Sequence, residues 1–160
     1  MNSKLIELSL IITTFLSGLY GGVGFFTIMG GNPAIKLMGD KTFAEFWQHI
    51  DHYMGSRMPV FGPILLISLL LSIILLIPER GTPSFWCMLL AFVIILGDLA
   101  FTLSTNHPLN SLIQSWDLNN LPANVQEVKW KVVNAFGVRL WLMMSAFGMV
   151  LLSVWLRNKS

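Results

Sequence analysis

Four long apolar stretches dominate the chain, and charged residues are concentrated between them. A helix that crosses about 30 Å of hydrocarbon needs about 20 mostly apolar residues. The stretches that meet this length are residues 8–27, 58–78, 83–105 and 132–156. The pattern predicts an all-α fold, a four-transmembrane-helix bundle with residues 1–160 as a single integral membrane domain. Pro78 and Pro83 bracket a very short connection, which predicts an antiparallel hairpin. Pro59 is expected in the first turn of the second helix, where no backbone hydrogen bond is lost.

The two remaining connections, roughly residues 28–57 and 106–131, are predicted to lie on one side of the membrane, the loop face. Both termini lie on the opposite side, the terminal face. In the first connection, apolar residues recur at helical spacing between Thr42 and Met54. This spacing predicts an amphipathic helix in the first long loop, lying on the membrane or capping the bundle. The second connection is rich in asparagine and proline, which is typical of turns and short helical pieces.

The composition excludes several classes of protein. Hydrophobic residues make up 54% of the chain and charged residues 11%, whereas soluble domains have about 25% charged residues. A net charge of +2 without a basic run argues against nucleic-acid binding, and the single cysteine, Cys87, cannot form an internal disulfide. The expected partners are membrane lipids and a hydrophobic small molecule, with homo-oligomerisation left open. Lysines and arginines are densest near the termini, so we expect a multi-pass protein of the cell membrane with both termini in the cytoplasm.

Two charged residues interrupt the apolar stretches at a similar depth. Asp98 lies about two turns before the loop-face end of the third helix, and Arg139 about two turns after the start of the fourth. At 1.5 Å per residue, both lie roughly 10 Å below the loop face. An ion pair that fixes the register of the two helices is one interpretation. The other is that Arg139 binds an anionic or phenolic oxygen inside a pocket.

Histidines and glycines add further candidates on the same side. His49 and His52 are three residues apart, hence neighbours on a helix, and His107 follows the third stretch. This spacing alone does not define a zinc site, and we predict no metal and no other cofactor. A neutral histidine beside a pocket could act as a general base, and the alternative is an interfacial polar residue. Gly18 and Gly22 form a small-xxx-small pair, which is typical of close helix packing but would also leave room for a flat ligand.

Three motifs follow one another along the chain. Residues 57–63 (RMPVFGP) open the second helix, residues 106–110 (NHPLN) follow the third, and Trp130, Asn134 and Arg139 open the fourth. With the glycine-rich first helix, this order resembles the anthrone oxygenase-like family of small four-helix membrane proteins, in its bacterial type. The resemblance extends over about residues 8–155.

Fungal members of that family are linked to the oxidation of anthrones to anthraquinones, without a metal or flavin. The resemblance therefore implies a cofactor-independent oxygenase for a hydrophobic aromatic or phenolic substrate. Such an enzyme needs a base, donors that hold the developing oxyanion, and a slot for a flat ring. The candidate catalytic residues are His52, His107 and Arg139, and the candidate substrate-binding residues are Arg57, Asn106, Asn110, Trp130, Asn134 and Trp141. The alternative is a non-catalytic membrane protein that binds a lipid or quinone or stabilises a partner complex.

Overall fold

The computed structural model describes residues 3–159, which fold into helices without any strand. The α-helices are α1 (Ser3–Phe26), α2 (Asn32–Leu37), α3 (Asp40–Leu76), α4 (Pro83–Phe101), α5 (His107–Gln114) and α6 (Val125–Arg157). Two π-helical turns, Thr27–Gly31 and Thr102–Asn106, join α1 to α2 and α4 to α5. The described chain therefore forms four continuous helical runs: Ser3–Leu37, Asp40–Glu79, Pro83–Gln114 and Val125–Arg157.

Each of these four runs is long and apolar enough to cross a membrane. Their outward surfaces are also apolar, since Ile11, Phe15 and Trp141 are each about two-thirds exposed. Contiguous apolar surface of this kind is unfavourable in water and favourable in lipid. The protein is a multi-pass membrane protein, and the predicted four-helix bundle is confirmed.

The first long connection contains much more helix than loop. The helix predicted between residues 42 and 54 is present, and it continues into the second spanning helix as α3. The 37 residues of α3 extend over about 56 Å, well beyond the roughly 30 Å of hydrocarbon. Pro59 therefore lies inside α3 together with Pro63, and its expected place in a first turn is wrong. Each proline removes one helical hydrogen bond, but α3 also packs through the buried side chains of Phe43 and Trp47 on the loop side.

Two apolar clusters stabilise the described chain. The membrane core lies between α1, α3, α4 and α6 and includes Leu10, Leu69, Met88 and Val150. The second cluster, which we call the cap, lies at the loop face between α2, α5 and the first turns of α3 and α6. Its buried members are Ile35, Phe43, Trp47, Ile113, Val125, Val128, Val132 and Val133. The long α3 and α6 run through both clusters and therefore hold the cap in a fixed position above the membrane core.

Polar contacts also join the helices inside the membrane and at the terminal face. The Thr13 hydroxyl of α1 lies 2.9 Å from the Ser72 hydroxyl of α3, and Ser84 and Ser153 donate to each other's carbonyl oxygens across α4 and α6. Interhelical hydrogen bonds of this type contribute about 0.6–2 kcal/mol in membranes. The predicted α3–α4 hairpin turns through Ile77–Glu79, where Glu79 pairs with Arg157 at 3.0 Å.

Glycines allow α1 to approach α6 closely, and of the predicted pair Gly18 and Gly22 only Gly18 faces α6, where a Cβ atom would lie 3.4 Å from the ring of Phe147. A Cβ atom at Gly24 would lie 3.1 Å from the backbone oxygen of Leu140, and one at Gly21 would lie 3.0 Å from the Cβ of Phe147. A Cβ atom at Gly22 would meet no atom within 4 Å. The glycines that contact α6 are therefore Gly18, Gly21 and Gly24, at an i, i+3 spacing, and Gly22 lies outside the contact.

Candidate functional site

Three polar side chains from three helices meet inside the membrane core: Tyr20 of α1, Asp98 of α4 and Arg139 of α6. Arg139 donates from Nε to Asp98 Oδ1 at 2.9 Å and from Nη2 to Asp98 Oδ2 at 3.1 Å. The Tyr20 hydroxyl donates to Asp98 Oδ2 and accepts from Arg139 Nη2 at 3.4 Å. Their exposed fractions are 7%, 0% and 8%. We call this group the triad, and each of its members contacts the other two.

Equal depth along three helices brings the triad together. Tyr20 lies seven residues before position 27, Asp98 seven before position 105, and Arg139 seven after position 132. These three positions are the loop-face limits of the predicted spans, so the three side chains lie about 10 Å below that face. The Asp98–Arg139 contact was expected from this depth. Tyr20 was not identified from the sequence, although the same count, applied to the first helix, would have found it.

Aromatic rings surround the triad. The ring of Tyr20 stacks on Phe61 of α3, with centroids 6.4 Å apart, and the guanidinium of Arg139 lies 5.5 Å from the ring centroid of Phe136. A fully desolvated ion pair needs good geometry and further hydrogen bonds to offset the loss of water. The bidentate contact and the Tyr20 hydroxyl supply both. The result is a cluster of zero net charge, with Tyr20 neutral, in a surrounding of low polarity.

The guanidinium of Arg139 still has hydrogen-bond donors to offer. Its Nε and Nη2 atoms are used within the triad, whereas Nη1 makes no hydrogen bond with any residue in 3–159. A guanidinium carries five N–H donors, and the Arg139 side chain remains 9% exposed. The triad therefore combines a proton acceptor, a hydroxyl that can pass a proton, and a cation with free donors.

Asn110, a predicted substrate-binding residue, lies instead in a hydrogen-bond network of the cap. Its Oδ1 accepts from Trp47 Nε1 at 3.0 Å, and its Nδ2 donates to Asp51 Oδ1 at 2.5 Å. Gln114 donates to the other Asp51 oxygen at 3.1 Å. Because both ends of the Asn110 amide are occupied, this residue joins α3 to α5.

Asn106, also predicted to bind the substrate, is buried in the π-helical turn that follows α4. It is 2% exposed, and its Oδ1 has no hydrogen-bond partner among residues 3–159. The Oγ1 atom of Thr102, at the start of the same turn, is likewise buried and without a partner in the described chain. Such turns occur frequently at functional sites.

The remaining predicted residues are exposed, and among residues 3–159 none of them is hydrogen-bonded to the triad. They are His52, Arg57, His107, Trp130, Asn134 and Trp141. The ring of His52 packs on Tyr53, Arg57 lies over the same Tyr53 ring, and Lys36 lies over Trp130. Trp141 faces outwards at the depth of lipid rather than lining a slot.

The histidines are also far from the triad along the helix axes. His52 precedes Phe61, the stacking partner of Tyr20, by nine residues, and His107 follows Asp98 by nine. Nine residues correspond to about 13 Å along a helix. Residues 3–159 contain no group of three or more His, Cys, Asp or Glu side chains arranged to hold a metal. That the protein needs no metal stays a prediction.

Comparison with known proteins gives one match. A family model described as anthrone oxygenase matches residues 51–152, which is more than half of the chain. The matched segment includes α4, most of α6, Asp98 and Arg139, and it begins after Tyr20. No curated protein and no solved structure matches the chain.

Proposed function

Because the chain belongs to the anthrone oxygenase family, we propose that it is a membrane oxygenase for a hydrophobic aromatic substrate with an acidic C–H bond, and that the triad is its reactive centre. The observation that carries this proposal is the buried contact between Tyr20, Asp98 and Arg139 at membrane depth. Ionisable groups at this depth are costly and are commonly functional. A site between spanning helices also suits a substrate that partitions into lipid.

The proposed first step is removal of a proton from the substrate carbon. As the Tyr20 oxygen takes this proton, the Tyr20 hydroxyl proton passes to Asp98 Oδ2, its hydrogen-bond partner. The substrate becomes a delocalised anion whose negative charge lies largely on the carbonyl oxygen attached to its ring. Arg139 stays protonated, and its Nη1 donors bind that oxygen, which lowers the energy of the developing charge in a water-poor site.

Molecular oxygen then completes a balanced reaction. The carbanion forms a C–O bond with O₂, and the resulting peroxide anion takes the proton held by Asp98 through Tyr20. Tyr20 and Asp98 then take the second C–H proton, the C=O bond forms as the O–O bond breaks, and the departing hydroxide receives that proton and becomes water. A methylene carbon and O₂ thus give a ketone and one H₂O, with four electrons passing from carbon to oxygen. We propose that no resident metal or flavin is required, because the substrate anion itself supplies the electrons; metal analysis of active protein tests this point.

The decisive experiment uses the two tyrosines of the chain. Tyr20→Phe keeps the ring that stacks on Phe61 and removes only the hydroxyl. We expect oxygen uptake with an anthrone in detergent to fall at least about 100-fold, the usual contribution of a general acid–base group. Tyr53→Phe, at an exposed tyrosine, is the matched control and should retain the wild-type rate.

Two results would contradict different parts of the proposal. A wild-type protein that consumes no oxygen with any carbon acid would remove the oxygenase function and favour a ligand-binding role. If the wild type is active and Tyr20→Phe keeps the full rate, the protein is an oxygenase but the triad is not its reactive centre.

We also propose that the protein lies in the cell membrane with both termini on the cytoplasmic side. Arg80 and Lys159 are exposed close to the ends of the spanning helices, where positive charge determines orientation. On the loop face, Lys129 is buried and donates to the Met38 carbonyl oxygen at 2.8 Å, and the exposed basic residues are spread over two longer connections: Lys36, Lys41, Arg57 and Lys131. A reporter domain fused to the C-terminus measures the orientation directly. A signal from the side of the membrane opposite the cytoplasm would contradict this proposal.

A further inference from the structure

Two buried oxygen atoms on the helical run that follows Asp98 have no partner in the described chain. They are Oγ1 of Thr102 and Oδ1 of Asn106, both in the π-helical turn Thr102–Asn106. Neither takes part in the reaction steps proposed above. A buried polar atom without a hydrogen bond costs about 1–3 kcal/mol of folding free energy. Two such oxygen atoms four residues apart therefore indicate a bound molecule that donates hydrogen bonds to them.

These two side chains lie between the triad and the loop face. The backbone N–H of Thr102 donates to the carbonyl oxygen of Asp98, and the N–H of His107 donates to the carbonyl oxygen of Thr102. The positions therefore follow one another on successive turns of one continuous helical run. His107, at the end of the series, is exposed, so the distance from the triad level to the surface is about 13 Å along the helix.

We propose that Thr102 and Asn106 bind internal water, and that this water connects the buried triad with the loop-face surface beside His107. Buried waters typically make about three hydrogen bonds to polar groups that are otherwise unsatisfied. Thr102 offers a hydroxyl and Asn106 offers both ends of an amide. The corresponding turn at the end of α1 leads to the same loop face, but the Thr27 hydroxyl there donates to the carbonyl oxygen of Val23 at 2.8 Å, and no side-chain oxygen of that turn is buried without a partner in the described chain.

The consequence for turnover rests on the proposed function. Each cycle would release one water molecule inside a site enclosed by apolar helices, and this water has to leave. Water bound to Thr102 and Asn106 gives the released water molecule a route to the loop face. The same bound water lets the exchangeable protons of the triad equilibrate with bulk water. The hydration itself does not depend on the oxygenase reaction, so it is measured without a substrate.

The experiment measures how fast the Nε proton of Arg139 exchanges with deuterium from the solvent. The protein is labelled with ¹⁵N-arginine in detergent, and Arg139→Lys assigns one of the four arginine signals. Thr102→Val and Asn106→Leu replace the polar atoms by apolar groups of similar shape. We expect each variant to slow the exchange at least about tenfold, and Thr27→Val, in the other π-helical turn, to leave it unchanged.

Unchanged exchange in both variants would overturn the proposal. Thermal unfolding gives a second, independent reading. Where the two oxygens are hydrated, the apolar variants lose hydrogen bonds and melt at a lower temperature; where they are dry, removing an unsatisfied buried atom raises the melting temperature. If the two variants exchange more slowly than the wild type and the wild type consumes no oxygen, the water path is supported while the oxygenase function is rejected, so the two proposals fail separately.

Discussion

The cap and the membrane core both bury polar side chains, and they differ in how completely those groups are satisfied. In the cap, the amide of Asn110 is bonded at both ends, to Trp47 and to Asp51. In the core, Arg139 and Asp98 satisfy each other, but Arg139 keeps its Nη1 donors, and Thr102 and Asn106 keep unpaired oxygens. A saturated network fixes helix positions, whereas unused donors and acceptors beside a charge pair are what a ligand needs. The hydrogen bonds of Asn110 therefore hold α3 and α5 together, whereas the core keeps the free donors that the proposed function requires.

The largest expected effect concerns the buried ion pair. Asp98→Ala leaves the Arg139 charge buried without a counter-ion, and we expect it to lower the free energy of unfolding by about 3–5 kcal/mol. The double variant Asp98→Leu with Arg139→Met removes both charges and should regain most of that stability while remaining inactive. Thermal unfolding in detergent and oxygen uptake measure the two effects.

The ion pair at the terminal face is the matched control for this prediction. Glu79 and Arg157 are partly exposed, so Glu79→Ala should cost only about 0–1 kcal/mol. An Asp98→Ala variant as stable as Glu79→Ala would show that the Asp98–Arg139 pair is solvated like the pair at the terminal face rather than buried.

A smaller effect is expected in the cap. Asn110→Ala removes the acceptor of Trp47 Nε1 and one donor to Asp51, and we expect it to lower the free energy of unfolding by about 1–3 kcal/mol. The oxygenase rate of the folded fraction should stay at the wild-type value, because the amide belongs to the α3–α5 contact. The exposed Asn134 provides the control, where alanine should change stability by less than about 0.5 kcal/mol. A rate loss in a stable Asn110→Ala protein would extend the active site into the cap.

Most of the fold could be predicted from the sequence, because the bilayer imposes a length and a composition on each spanning helix. The limits of the helices could not, since the cap stabilises helix beyond the membrane. Apolar spacing indicated a helix near Trp47, and the burial of this segment in one cluster with Ile113 and Val128 stabilises α3 on the loop side of Pro59. The expectation that proline occupies the first turn of a helix is based on the helix alone and does not take tertiary packing in the cap into account.

Contacts of the candidate site could be predicted where they depend only on the depth of a residue in the membrane. They could not be predicted where they depend on the direction in which the side chain points around its helix. Asp98 and Arg139 had to find partners because both are charged within apolar stretches. Trp141, only two residues after Arg139, points away from it to the outer surface, since successive helix positions differ by 100°. Tyr20 was missed because a neutral side chain carries no comparable penalty and so no signal in a search for charges.

The smallest expected effects are those of substitutions at the exposed histidines. His52 and His107 are exposed, and each lies about 13 Å from the triad along its helix. We expect alanine at either position to change the free energy of unfolding by less than about 0.5 kcal/mol and to leave oxygen uptake close to the wild-type rate. Each should be measured beside Tyr20→Phe in the same preparation of anthrone, so that the ratio of rates is independent of substrate solubility. A loss in His52→Ala as large as that in Tyr20→Phe would place the base at the loop face, and the buried triad would then be an ion pair that only holds α4 and α6 in register.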